Sequence, residues 1–261
     1  MTWELATSIC DQAAAAGAGI VPSGLGEPLR WSSASLSGLL SYIDERSPDT
    51  QITIFTSLVA PESERILFRQ AVARHRGRIL VAITLHYAQG RKPLLWEDSR
   101  RVGWEKYEEA ALRLRELDGG PREVHVAIQP TCPADARQHF TQKFGPNGDR
   151  VHSDSQQIEA WFGLVNDRNT HALAPPSLPS DEPCSRPFED TFMVLYDGRC
   201  VACCQDVIEP GHVVGDLNEQ SLMDVWHGEK MVALRQRHLD RNVEGISPCN
   251  ICARTVSYER R

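Results

Sequence analysis

Apolar positions along the first 160 residues alternate between two spacings. Leu36, Leu39, Leu40 and Ile43 recur at the three- and four-residue steps of a helix, as do Trp104, Tyr107, Ala111 and Leu114. Between such stretches lie short continuous apolar runs at 51–55, 78–83 and 123–128. Continuous runs of this length suit strands buried on both faces, as in a parallel sheet covered by helices. Residues 19–22 and 149–153 read as two further short strands. Ile66, Leu67, Ala71 and Val72 mark a helix between the first and second of the runs at 51–55, 78–83 and 123–128. The spacing predicts a first helix capped by Thr2 and running to about Ala16, where Gly17 and Gly19 stop it. About five strands alternating with helices point to a parallel sheet or (βα) barrel. A (βα) barrel ordinarily starts on a strand, whereas this pattern starts on a helix. A first strand is therefore expected to be missing.

Residues 164–183 break the alternation with proline and polar side chains and read as a linker. Beyond them comes a compact cysteine-bearing module. It holds a strand pair around Tyr196, Asp197, Gly198 and Arg199, a loop at 211–218, and one helix from about Ser221 to Leu239. Leu222, Val225, Trp226 and Leu234 are the apolar positions of that helix. The expected division is 1–163 for the (βα) portion, 164–183 for the linker and 184–261 for the cysteine module.

Composition narrows the function classes. The 261 residues are 41% hydrophobic and 24% charged, enough apolar surface for an ordinary folded core. The net charge of −7 argues against a nucleic-acid backbone as primary partner, because phosphate binding requires a basic face. No apolar run approaches the ~20 residues of a membrane span. The first residues lack the basic start and apolar stretch of a secretory signal. The expected compartment is the cytoplasm, where thiols stay reduced and clustered cysteines serve metals more often than disulfides.

Cys184, Cys203, Cys249 and Cys252 are the candidate metal ligands, with Cys204 in reserve. Cys249 and Cys252 form a two-ligand knuckle, Cys203 follows the strand pair, and Cys184 precedes it. Four thiolates converging from separate loops suit an iron–sulfur cluster. They suit tetrahedral zinc equally, so spacing alone leaves both open. Cys200, beside the turn, reads as a small buried residue.

The order of these features resembles the SPASM domain, the auxiliary-cluster module at the C-terminus of many radical S-adenosylmethionine (radical SAM) enzymes. Cys184 stands just ahead of Arg186 and Pro187. Gly198 precedes Cys203; then come Gly215, Asp216 and Leu217, a helix start at Ser221 and Leu222, Trp226, Arg235, and the closing Cys249 and Cys252. The resemblance implies a four-iron four-sulfur cluster on Cys184, Cys203, Cys249 and Cys252. A full SPASM domain carries further cysteines for a second cluster; none follows Cys252 here, so one cluster is expected.

The same resemblance extends to the front half, where the family uses a partial parallel (βα) barrel. Ser23 to Pro28 resembles the family's Gly-Glu motif, which contacts the methionine amino group of S-adenosylmethionine (AdoMet). Gly24 and Gly26 let backbone approach a ligand, and Glu27 offers an acceptor to an ammonium. Thr56 with Ser57, and Thr84 with His86, close the next two strands, and Gln129 and Asp154 close the following ones. Strand ends of this kind carry function in barrels. Gly26, Glu27, Thr56 and Thr84 are thus the expected AdoMet contacts. The bland alternative for residues 23–28 is a tight turn.

One departure is chemical. Radical SAM enzymes reduce AdoMet with a cluster on a Cys-x-x-x-Cys-x-x-Cys triplet, and this sequence contains none; Cys10 and Cys132 stand alone. Three readings follow: a radical SAM-type enzyme for a peptide or small metabolite, with an upstream motif lost or lying outside this sequence; a non-catalytic relative acting as a binding partner or as an electron carrier to another protein; and a zinc-stabilised interaction protein. The chain on its own is expected not to cleave AdoMet under strong reductant. Chromatographic detection of 5′-deoxyadenosine would overturn that expectation.

Overall fold

The computed structural model describes residues 1–22, 27–31, 35–85, 104–128, 138, 142, 151–153, 183–189, 193–204, 206 and 210–251. The chain divides into two compact units: Gly17–Ser155, and Met1–Ala16 together with Gln156–Arg261.

The first unit is built on a parallel sheet. Its strands are β1 (Ile52–Thr56), β2 (Ile79–Leu85), β3 (Arg122–Ile128) and β4 (Val151–Ser153), hydrogen-bonded in that order and all parallel. Ile20 adds a single parallel bridge to Ile52 at the β1 edge. The five predicted strand positions thus lie side by side in sequence order, the arrangement produced by successive βα crossovers. The core-facing residues Ile52, Ile54, Val81, Ile83, Val124 and Val126 are almost wholly buried. Each contributes roughly 1.5–3 kcal/mol by leaving water.

Helices α2 (Leu36–Arg46), α3 (Glu62–Arg74) and α4 (Trp104–Arg115) connect these strands. Ser35 caps α2 by accepting from the Gly38 amide at 2.9 Å, and Leu36, Leu39, Leu40 and Ile43 form its buried stripe. In α3 the stripe differs from the predicted one. Ile66 and Leu67 are exposed, and Arg65, Phe68 and Val72 face inward. Arg65 is tolerated there because its guanidinium donates to the Ala60 carbonyl at 2.5 Å.

The other unit joins α1 (Trp3–Ala15) to the tail. Thr2 caps α1, accepting from the Leu5 amide at 3.2 Å. The tail carries a three-stranded antiparallel sheet: β5 (Met193–Val194), β6 (Arg199–Val201) and β7 (Val213–Asp216). Gly198, at φ +97°, makes the β5–β6 turn, and a side chain there would collide with Asn218 Nδ2. The single helix predicted over 221–239 is two, α5 (Leu222–His227) and α6 (Glu229–Leu239). Gly228 between them is extended, at ψ 156°, so the ladder stops at its amide. Val214, Val225, Met231, Leu234 and Ile246 form the tail core, with Leu5 and Ile9 of α1 packed against it. Gln12 of α1 also accepts from the Leu222 amide at 2.6 Å, an otherwise unsatisfied donor at the start of α5. No helix among the described residues is long and apolar enough to cross a membrane.

Acid sensitivity is built in at the turn after α3. His75 is fully buried, with Nδ1 3.4 Å from Asp44 Oδ1, and Nε2 has no hydrogen-bond partner among the described residues. Burial lowers the His75 pKa; Arg122 and Arg76 add to the shift, against the opposing pull of Asp44. For Asp44, burial pushes upward, but hydrogen bonds from the Arg76 amide and side chain outweigh it and leave the carboxyl below its usual range. A histidine held neutral in the fold gives its full stability above the unfolded value near 6.5. That stability drains as pH falls from there toward the lowered folded value, by at most about 1.4 kcal/mol per pH unit. Urea midpoints are expected to fall between pH 7 and pH 5.5, and His75→Gln is expected to flatten that slope. An equal slope in the two proteins would exclude His75 as the source.

Candidate functional site

The described cysteines of the tail sit on three segments; Cys249 packs on the tail core, and Cys203 follows Ala202 of that core. Cys184 is buried at the start of a closed turn, in which the Phe188 and Glu189 amides both donate to the Ser185 carbonyl at 2.8 Å. Cys203, half-buried, follows β6, and its carbonyl accepts from the Asp206 amide at 3.0 Å. The buried Asp206 carboxylate accepts from the Gly211 and His212 amides at 2.7 and 3.0 Å, closing the loop behind Cys203. Burial raises the Asp206 pKa against the pull of those amides. Gly211 lies flush against Ser247, so close that a Cβ would stand 2.6 Å from the serine side chain. Ser247 is two residues from Cys249, which opens a short 3-10 helix (Cys249–Ile251) and packs on the tail core. The Cys203 and Cys249 segments are thereby tied through one glycine contact.

Cys252 lies outside the described residues. Among the described residues no three His, Cys, Asp or Glu side chains are grouped to hold a metal ion. The donor chemistry nonetheless suits a soft metal centre: Cys184, Cys203, Cys204 and Cys249 are all at least partly shielded from water. Cys200 differs. It is wholly buried in the core, its thiol donates to the Gly198 carbonyl at 3.6 Å, and burial with the nearby Asp216 pushes its pKa up to about 12. Cys10, on α1, is likewise pushed up to about 12 by burial and by Asp11. A thiol so reluctant to ionise is a poor ligand.

Comparison with known proteins matches residues 184–253 to the SPASM family, an iron–sulfur cluster-binding domain. The fold of the whole chain is similar to BtrN in complex with AdoMet and 2-DOIA, with a TM-score of 0.53, 16% identity, 94% of this chain and 78% of that one. Residues 184–253 thus match an iron–sulfur cluster-binding domain, and the chain shares the fold of BtrN. A second BtrN structure, in an open conformation, aligns with a TM-score of 0.43 and 16% identity over 91% of this chain and 73% of that one. No curated protein matches the chain in sequence.

Among the described residues, sequence-predicted candidates come into direct contact at the carboxyl end of β1. Here Glu27 reaches across 29 residues to accept from Thr56 Oγ1 at 2.5 Å through Oε1. Its Oε2 accepts from the Ser57 amide and hydroxyl at 2.8 and 2.7 Å. Oε1 also takes the Leu29 amide at 3.2 Å, capping a short 3-10 helix, Pro28–Arg30. Thr56 Oγ1 in turn accepts from the Leu58 amide at 2.9 Å, where Leu58 adopts φ +60°. Two sequence candidates, Glu27 and Thr56, are therefore in direct contact. Their partner Ser57 uses both of its donors on the same carboxylate. Thr84 lies one residue from the end of β2, paired with Ala127 of β3. Gly26, His86, Gln129 and Asp154 lie outside the described residues, as do Cys132 and residues 164–182 of the expected linker.

Four donors fill the Glu27 carboxylate, which has about four acceptor sites. The bonds hold the irregular β1 end that follows Thr56. Glu27→Gln replaces one oxygen by a donor facing other donors and is expected to cost on the order of 1.5–3 kcal/mol of stability. Urea unfolding of the front unit, compared with Thr56→Val, measures it; a change below ~0.5 kcal/mol would show that the network carries little.

Proposed function

We propose that this protein carries one four-iron four-sulfur cluster on Cys184, Cys203, Cys249 and Cys252. We also propose that it binds AdoMet at the strand ends that include Gly26, Glu27, Thr56 and Thr84. The observation that carries the reading is the SPASM match beginning at Cys184, together with the packing of Cys249 on the tail core and the glycine contact that ties its segment to that of Cys203. When bound, such a cluster supplies a one-electron relay or a ligation point for a substrate group.

This chain's own residues hold and shield. The closed turn after Cys184 and the Asp206 loop after Cys203 fix two donors without demanding long side-chain reach. The core residues Val214, Leu234 and Ile246 keep the module dry on its inner side, which strengthens any charge interaction there. At the other site Glu27 fixes Thr56 and Ser57. A cationic methionine group there would meet a carboxylate whose geometry is set in advance; its entry would exchange one of the present hydrogen bonds for a charged one. The substrate class is a peptide or small metabolite, and the compartment is the cytoplasm. BtrN, similar in fold, was solved in complex with AdoMet and 2-DOIA.

A second reading rests on a specific observation, the absence of a Cys-x-x-x-Cys-x-x-Cys triplet in this sequence. In that reading the protein passes electrons to, or binds, a partner through its SPASM domain without cleaving AdoMet. Zinc in place of iron would make it an interaction protein.

Iron and acid-labile sulfide analysis of anaerobically purified protein is expected to give one cluster per chain and no stoichiometric zinc. The Cys249→Ser, Cys252→Ser double variant is expected to lose most of that iron and to melt earlier, because metal binding and folding are coupled. Unchanged iron in the variant would remove these two cysteines from the ligand set.

A further inference from the structure

Arg235, on α6, bonds two carbonyls that belong to separate segments. Nε donates to the Pro187 carbonyl at 2.8 Å, and Nη1 donates to the Trp226 carbonyl at 2.9 Å. The guanidinium also lies over the Trp226 ring, with Cζ 4.1 Å from its centroid. Pro187 is buried and belongs to the closed turn that opens on Cys184. From these contacts we infer that Arg235 is the positioning residue for Cys184, fixing the turn from which that thiolate reaches a metal centre. The inference rests on the cluster reading above.

The chemistry selects arginine. Its donors diverge from one rigid plane, so one side chain can bond two carbonyls and stack on an indole at once. A lysine ammonium can reach one carbonyl but has no plane to stack. The turn is short and closed by two hydrogen bonds onto Ser185, so displacement at Pro187 passes to Cys184 rather than being absorbed. Groups that orient metal ligands in this way typically change metal affinity 10–100-fold when removed.

The test uses the full chain, purified anaerobically, as parent, R235Q, R235K and C184S. The readouts are the time course of cluster loss to a chelator, the paramagnetic resonance spectrum of the reduced protein, and far-ultraviolet circular dichroism as a fold control. R235Q is expected to lose its cluster about tenfold faster and to shift the resonance, with helix content unchanged. R235K is expected to fall between R235Q and the parent. Parent-like retention and spectrum in R235Q, beside an altered C184S, would overturn the positioning role alone. A C184S protein indistinguishable from the parent would overturn Cys184 as ligand, and the inference with it. If R235Q does not fold, R235K decides by the same two readouts, and parent-like behaviour there overturns the proposal.

Discussion

The tail depends on apolar burial that its own sheet is too small to supply. Strands of two, three and four residues bury little, and a module of this size is marginal without help. The structure provides help from the far end of the chain. Leu5 and Ile9 pack on the core of Val225, Met231 and Leu234, and Gln12 satisfies the first amide of α5. The remaining stability of such modules commonly comes from a staple, and cysteines on three segments are the material for one. A metal held by those cysteines would act on the same folding equilibrium as α1.

In the front unit the constraint is different. The parallel sheet commits Ile52, Ile54, Val81, Ile83, Val124 and Val126 to a buried face and leaves chemistry to the strand ends. At the end of β1 the chain turns through Leu58 at positive φ, a conformation unfavourable for leucine. Glu27 and Thr56 stabilise it by taking the donors of residues 56–58. The carboxylate is thereby fully engaged, and the end of β1 is held from both of its oxygens.

Much of this was legible in local pattern. The apolar runs at 51–55, 78–83 and 123–128 became neighbouring parallel strands, and Thr2, Leu36 and Ile43 took their expected places. The cysteines, read in order with Gly198, Gly215, Trp226 and Arg235, led to the family that residues 184–253 match. What local pattern missed depends on partners distant in sequence. Ile66 and Leu67 looked like a core stripe, but the Ala60 carbonyl lets Arg65 face inward and rotates the helix away from them. The break at Gly228 was invisible because a lone glycine is tolerated inside helices. The grouping of α1 with the tail, and the bond from Glu27 to Ser57 thirty residues on, follow from packing that no periodicity records.

The interruption at Gly228 has a geometric consequence. On an unbroken helix, residues nine positions apart stand about 13.5 Å apart along the axis and about 180° around it. Trp226 and Arg235 would then look in opposite directions. Only the bend lets the cation fold back over the indole. A residue that straightened this elbow would make a better helix and a worse clasp, and a Cβ there would already press on the Asp224 carbonyl at 2.7 Å.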